Sequence, residues 1–110
     1  MVTAELAAAL PVLVLLLAAA LSAVALVGAR IRLQDAAREL ARAAARNDVA
    51  AGRTLAARDA PAAVLSVQRE GSDVVAVAAE QFHPLGGWLP AVHLREQAVA
   101  ALEPESAAPP

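Results

Sequence analysis

The pattern of hydrophobic and polar positions divides this chain into three regimes. From Leu6 to Ala29, 24 residues pass without one charged side chain. A helix of that length spans about 36 Å, enough to cross a hydrocarbon core of about 30 Å with some tilt. A soluble amphipathic helix carries a polar stripe, whereas residues 1–29 offer, besides the charge of Glu5, only Thr3 and Ser22. The pattern predicts a membrane-spanning helix over residues 1–29. From Arg30 to Arg46 the period stays helical and turns amphipathic. Leu33, Ala36, Ala37, Leu40 and Ala44 form a narrow apolar stripe, and Arg32, Asp35, Arg38, Glu39, Arg42 and Arg46 occupy the rest. Asp35 with Arg38, and Glu39 with Arg42, are spaced as i,i+3 ion pairs worth about 0.2–0.5 kcal/mol each. One helix is therefore expected from about residue 3 to 46, leaving the membrane as an Ala-rich stalk.

In the third regime the period shortens. Asn47 and Asp48 are good caps, so a break and restart are expected there. A short second helix from about Val49 to Arg58 would bury Val49 and Leu55 and end before Pro61. From Ala63 the spacing alternates, with Ala63, Leu65 and Val67 against Val64, Ser66 and Gln68, as in a half-buried strand. Glu70-Gly71-Ser72-Asp73 is turn chemistry, and Val74 to Phe82 completes a hairpin. His83 to Pro90 holds two Pro and two Gly and reads as a loop. Ala91 to Ala101 has the composition of a third strand with Val92 and Leu94 on one face, although Leu94 to Leu102 also fits a helical turn or two. A strand is favoured because a lone hairpin is marginal and three strands can cover a helix. The fold class is α+β: a long N-terminal membrane helix and stalk (1–29 and 30–46), then a small domain (47–103) of one short helix and a three-stranded antiparallel sheet. Residues 104–110, ending Pro-Pro, lack periodicity and read as a disordered tail.

Composition narrows the function. Hydrophobic residues make up 59% of the chain but aromatics only 2%, so the core must be built from Ala, Val and Leu. The net charge of −2 argues against nucleic acid as a partner, since such a binder carries a basic surplus. Cys is absent, which removes disulfides, zinc thiolates and thiol nucleophiles together. His83 and His93 stand in no metal-ligand spacing, and Gly86-Gly87 lacks the strand and helix of a phosphate cradle. No catalytic, cofactor-binding or metal site emerges, and no cofactor is implied. Trp88 is the single Trp. Its simplest role is to anchor the loop on the sheet; capping the core, a partner, or the membrane interface are the other readings. The 55 or so residues beyond the membrane are too few to hold themselves with such a core. They need the stalk helix or neighbouring subunits, which favours an assembly component.

The N-terminal residues carry a family resemblance. Met1-Val2-Thr3-Ala4-Glu5-Leu6-Ala7, followed by Pro11, resembles the TadE-like minor pilins of the tight-adherence (Tad, or Flp) type IV pilus system, the actinobacterial branch above all. Gln34-Asp35-Ala36-Ala37-Arg38-Glu39-Leu40-Ala41-Arg42 resembles the Ala-Ala-Arg stretch that follows the membrane span in that family. Together these motifs cover roughly the first 46 residues. The resemblance implies a single-pass membrane protein that helps to prime or assemble a pilus, with its C-terminal domain outside the membrane. The implied partners are other pilin subunits, a prepilin peptidase, the pilus membrane platform and ATPase complex, and membrane lipid. A prepilin peptidase cuts after Gly and leaves Glu at the fifth mature position, where Glu5 falls if Met1 is the first mature residue. The Gly and a basic leader do not stand before Met1 in this sequence. Either this is the mature form, or the true start lies upstream, or no cleavage occurs.

Met1 and Glu5 are thus the expected processing and assembly residues, and Pro11 is an expected helix kink. Arg30, Arg32, Arg38, Arg42 and Arg46 all follow the span, which by the positive-inside tendency would hold the C-terminal part in the cytoplasm. The family topology is the opposite, and an Arg-rich leader would reconcile the two. A generic single-pass scaffold or regulatory subunit without a pilus role is the alternative. Small residues at Ala18, Ser22, Ala25 and Ala29 offer a face for close helix approach, a pattern that frequent Ala also produces by chance.

Overall fold

Residues 2–102 are described by a computed structural model; Met1 and 103–110, including the expected tail, lie outside the described residues. The order of elements is α1 (Val2–Ala45), α2 (Val49–Asp59), β1 (Val64–Glu70), β2 (Asp73–Phe82), a 3-10 turn (Pro84–Gly87) and β3 (Val92–Ala101). The class is α+β. At 44 residues α1 is about 66 Å long and accounts for most of the 83 Å long axis of the molecule. The helix passes through Pro11 as one element.

The expected break at Asn47 has a definite geometry. The Asp48 N–H donates to the Ala43 carbonyl at 2.8 Å and the Asn47 N–H to the Ala44 carbonyl at 3.0 Å, with Asn47 at φ 60°. This is a Schellman closure in which Asn stands where Gly is commoner. Asp48 then caps α2, accepting from the Ala51 N–H at 3.4 Å. The chain turns back at once, and α2 packs against the C-terminal end of α1.

The three strands form a meander in the order β1-β2-β3, antiparallel throughout. Val67 pairs with Ala76 and Ala76 with Ala98; Leu65 pairs with Ala78 and Ala78 with Glu96. Because side chains alternate, these positions share the face turned to α1. There Val74, Ala76, Ala78 and Leu94 are buried, with Leu65, Val67, Phe82, Ala98 and Ala100 packed around them. Helix α1 meets this face with Ala29, Leu33, Ala36, Ala37, Leu40 and Ala41, all buried. The stalk stripe is the one expected, broadened by Ala41, Ala43 and Ala45 where α2 covers a second side. Val92–Ala101 is a strand, as favoured over a helical turn. Gly71, at φ 61°, makes the β1–β2 turn.

Two expectations are corrected. In α2 the buried residues are Gly52 and Ala56, while Leu55 is exposed. The approach to α1 is too close for a large side chain: a Cβ at Gly52 would lie 2.5 Å from the Ala43 Cβ. On the stalk, neither i,i+3 pair closes to ion-pair distance. Instead Arg30 reaches across to Glu96 on β3 at 3.5 Å, a partly exposed contact that contributes under about 1 kcal/mol.

Candidate functional site

The expected site is the apolar half of α1. From Val2 to Leu17 every residue is exposed, and burial against the sheet begins in earnest only at Ala29. Here is a helix long and apolar enough to cross a membrane, near the N-terminus, with its apolar window free of protein cover. Glu5 lies exposed in its first turn, where unpaired N–H groups and the helix dipole favour an anion. Pro11 withholds the N–H that would bond the Ala7 carbonyl. Glu5 and Pro11 lie on the same free segment, far along α1 from the sheet.

What the sequence did not reveal is the loop that lies against this helix. Between β2 and β3 the chain leaves the sheet at His83 and folds onto α1 instead of over the sheet. The Leu85 N–H donates to the Ser22 Oγ at 3.0 Å, a bond spanning 63 residues. Leu85, Gly86 and Gly87 have φ of 53°, 65° and 99°, and the Trp88 N–H closes the turn on the Leu85 carbonyl at 3.3 Å. Two glycines make that left-handed path accessible; Leu85 adopts it at some cost. Pro84, Leu85 and Leu89 line one groove with Ala19, Ser22 and Leu26. Leu85 and Trp88 line another with Val14, Leu15, Ala18 and Leu21. On the small-residue face of α1, Ala18 and Ser22 are half-buried beside the loop and Ala29 is buried against the sheet, while Ala25 stays exposed. Trp88 does not anchor the loop on the sheet: it is 90% exposed. The available signal was Ser22, the one hydroxyl in the uncharged run, set against a loop of apolar residues.

The titratable groups elsewhere make no comparable constellation. His83 and His93 are exposed and border one open depression with Glu80 and Arg95. Among the described residues no three His, Asp or Glu are grouped to hold a metal. Glu39 is the one perturbed carboxyl among the described residues: the neighbouring Asp59 carboxyl, with which it can share a proton, raises its pKa above the ordinary 4.5. Partial burial and the charge of Asp35 push the same way, against Arg42. Its Oε2 is buried with no hydrogen-bond partner among the described residues, an environment that disfavours the anion. Glu39 sits at the α1–α2 contact, remote from the free helix.

No protein-family model matches the chain, and no solved structure matches it. Among curated proteins it is similar to the Mycobacterium tuberculosis protein named apoptosis inhibitor Rv3655c, with 39% identity over 105 residues. The aligned region takes in 94% of this chain and 81% of that relative. It therefore spans free helix, stalk and sheet alike, and the chain belongs to the family of this mycobacterial protein.

Proposed function

We infer that this protein is a TadE-like minor pilin that takes part in priming or assembling a Tad/Flp type IV pilus through its N-terminal helix. The observation that carries the reading is α1 itself: an uncovered apolar segment with Glu5 exposed in its first turn, continuing into a stalk that carries a small sheet. The role is structural, not catalytic. The chain sits in the cell membrane as a single-pass protein with its sheet domain on the extracytoplasmic side. Its partners are other pilin subunits through α1, the prepilin peptidase at Met1, and the platform and ATPase complex, with lipid around the span. In the assembled state the Glu5 carboxylate pairs with the amine of a neighbouring subunit. Both groups then lie in a medium poorer than water, where a lone charge is costly and a matched pair is tolerated. Only the alignment that joins amine to carboxylate is favoured, so the pair sets register more than stability.

Glu5→Ala tests this. The change removes a charge from the edge of the apolar run, so membrane fractionation should persist while co-purification with partner pilins falls. Co-assembly at wild-type level, in a strain that needs this protein for piliation, would sink the proposal.

The name of the 39%-identical relative favours a second reading, inhibition of apoptosis. Deleting this gene and scoring both piliation and apoptosis of exposed host cells separates the two. Loss of pili with unchanged apoptosis supports the first; the converse supports the second.

A further inference from the structure

We propose that the loop between β2 and β3 is a second membrane anchor, which seats Leu85, Trp88 and Leu89 in the lipid interface beside α1. This rests on the reading of α1 as a membrane span and is independent of any pilus role.

Four observations converge on it. The first is depth. With Glu5 at one edge of the bilayer, about 30 Å of helix ends near Ala25. Trp88 and Leu85 border a groove on α1 that runs from Val14 to Ser22, about 4–17 Å inside that edge. The outer half of that range is the roughly 5–10 Å to which interfacial anchors insert. The second is composition: from Pro84 to Val92 no side chain is charged, and a His flanks the segment on either side. The third is exposure. Trp88 is 90% and Leu89 50% exposed, on a loop continuous with the uncovered apolar surface of α1. Indole at a bilayer edge keeps its ring in an apolar medium and its N–H near water.

The fourth is backbone accounting. Irregular backbone at membrane depth must have its polar groups satisfied within the protein. Pro84 and Pro90 carry no N–H, the Leu85 N–H is held by Ser22, and the Trp88 N–H by the Leu85 carbonyl, whereas the Leu89 and Ala91 N–H groups have no partner among the described residues and require the hydrated headgroup level. A hydroxyl is otherwise a poor choice in an apolar run, and here it serves the loop. Two attachments, helix and loop, would fix the tilt of the sheet relative to the membrane, which one helix alone leaves free.

Trp88 is the only Trp and the chain has no Tyr, so its fluorescence reports the loop directly. The full chain is reconstituted into phosphatidylcholine vesicles with protein dilute in lipid. Flotation with the vesicles scores α1 insertion separately from Trp88. The expected result is emission blue-shifted from that of Trp in water and insensitive to aqueous iodide. Most of that emission should be lost to lipid brominated near the carbonyl end of its acyl chains, and less to lipid brominated near the methyl end. A chain that floats while Trp88 emits as in water, quenched by iodide and untouched by bromolipid, overturns the anchor and leaves the span intact. Shielding that vanishes on dilution into excess lipid means that a second copy covers the loop, which also overturns it. Failure to float overturns the span, and the anchor with it.

Discussion

At the scale of single residues, Glu39 is where the chain departs most from ordinary solvated charge. It keeps a proton more readily when folded than unfolded, because the Asp59 carboxyl and partial burial both disfavour its anion. A folded state that binds the proton more tightly is stabilised by acid. The contribution is fully present below about 4.5 and is lost as pH rises through the elevated folded-state value. Glu39→Gln removes the titrating group but keeps a donor that can face Asp59. Urea unfolding of the full chain in detergent should then show a flatter pH dependence. At neutral pH the variant should gain a few tenths to about 1 kcal/mol, after screening at this partly exposed site. A pH profile identical to wild type would mean that the two carboxyls do not share a proton. Nothing in the sequence marked this pair: Glu39 and Asp59 lie on different helices, and only the turn at Asn47 brings them together.

At the scale of elements, the contact between α1 and α2 is governed by size more than by hydrophobicity. Gly52 in mid-helix costs about 1 kcal/mol of helix propensity relative to Ala. The added methyl, however, would meet Ala43 Cβ at 2.5 Å and Leu40 Cδ1 at 3.3 Å. Overpacking of this kind costs about 1–3 kcal/mol, so the clash outweighs the propensity gain. Gly52→Ala is expected to lower the unfolding midpoint and to speed proteolysis within α2, read by limited digestion of the full chain. The same close contact explains which part of the fold was legible from sequence. Periodicity located both helices and β1, where Leu65 and Val67 alternate with Ser66 and Gln68. By contrast β2 reads as a β-rich run after a turn, and β3 is favoured because a lone hairpin is marginal, not because its period excludes a helical turn. Periodicity ranked the residues of α2 by hydrophobicity and so placed Leu55 inward, where the geometry has room only for Gly52 and Ala56. Likewise Trp88, the largest apolar side chain, was assigned to the core although it stands outside it. Long-range packing between a loop and a helix leaves no local period, so the Leu85–Ser22 bond was marked only by a lone hydroxyl in the apolar run, with nothing to name its partner.

At the scale of the whole molecule, the stalk is not a spacer beneath an independent domain. Six of the eleven residues in the main core cluster come from α1, and two of the three largest fully buried side chains are its Leu33 and Leu40. The sheet supplies mostly Ala and Val to that core, and methyl-sized side chains bury little area each. A segment of 64 residues, with no disulfide and Phe82 as its one aromatic against the core, falls below what hydrophobic burial alone sustains. Removing α1 would strip the inner sheet face of its cover and leave three strands with both faces wet. A fragment of residues 47–110 is therefore expected to be unfolded. A fragment of residues 30–110, which keeps Leu33 to Ala45 and forgoes only the apolar half of α1 and Ala29, should fold and unfold cooperatively. Far-ultraviolet circular dichroism and amide exchange on the two fragments make the comparison. Cooperative melting of 47–110 by itself would show that the sheet is a domain in its own right. If instead both fragments are unfolded while the full chain in lipid is protected, the loop at Leu85 to Leu89 and its contacts with Ala18 to Leu26 carry more of the stability than the stalk core. The folded unit would then begin inside the apolar run.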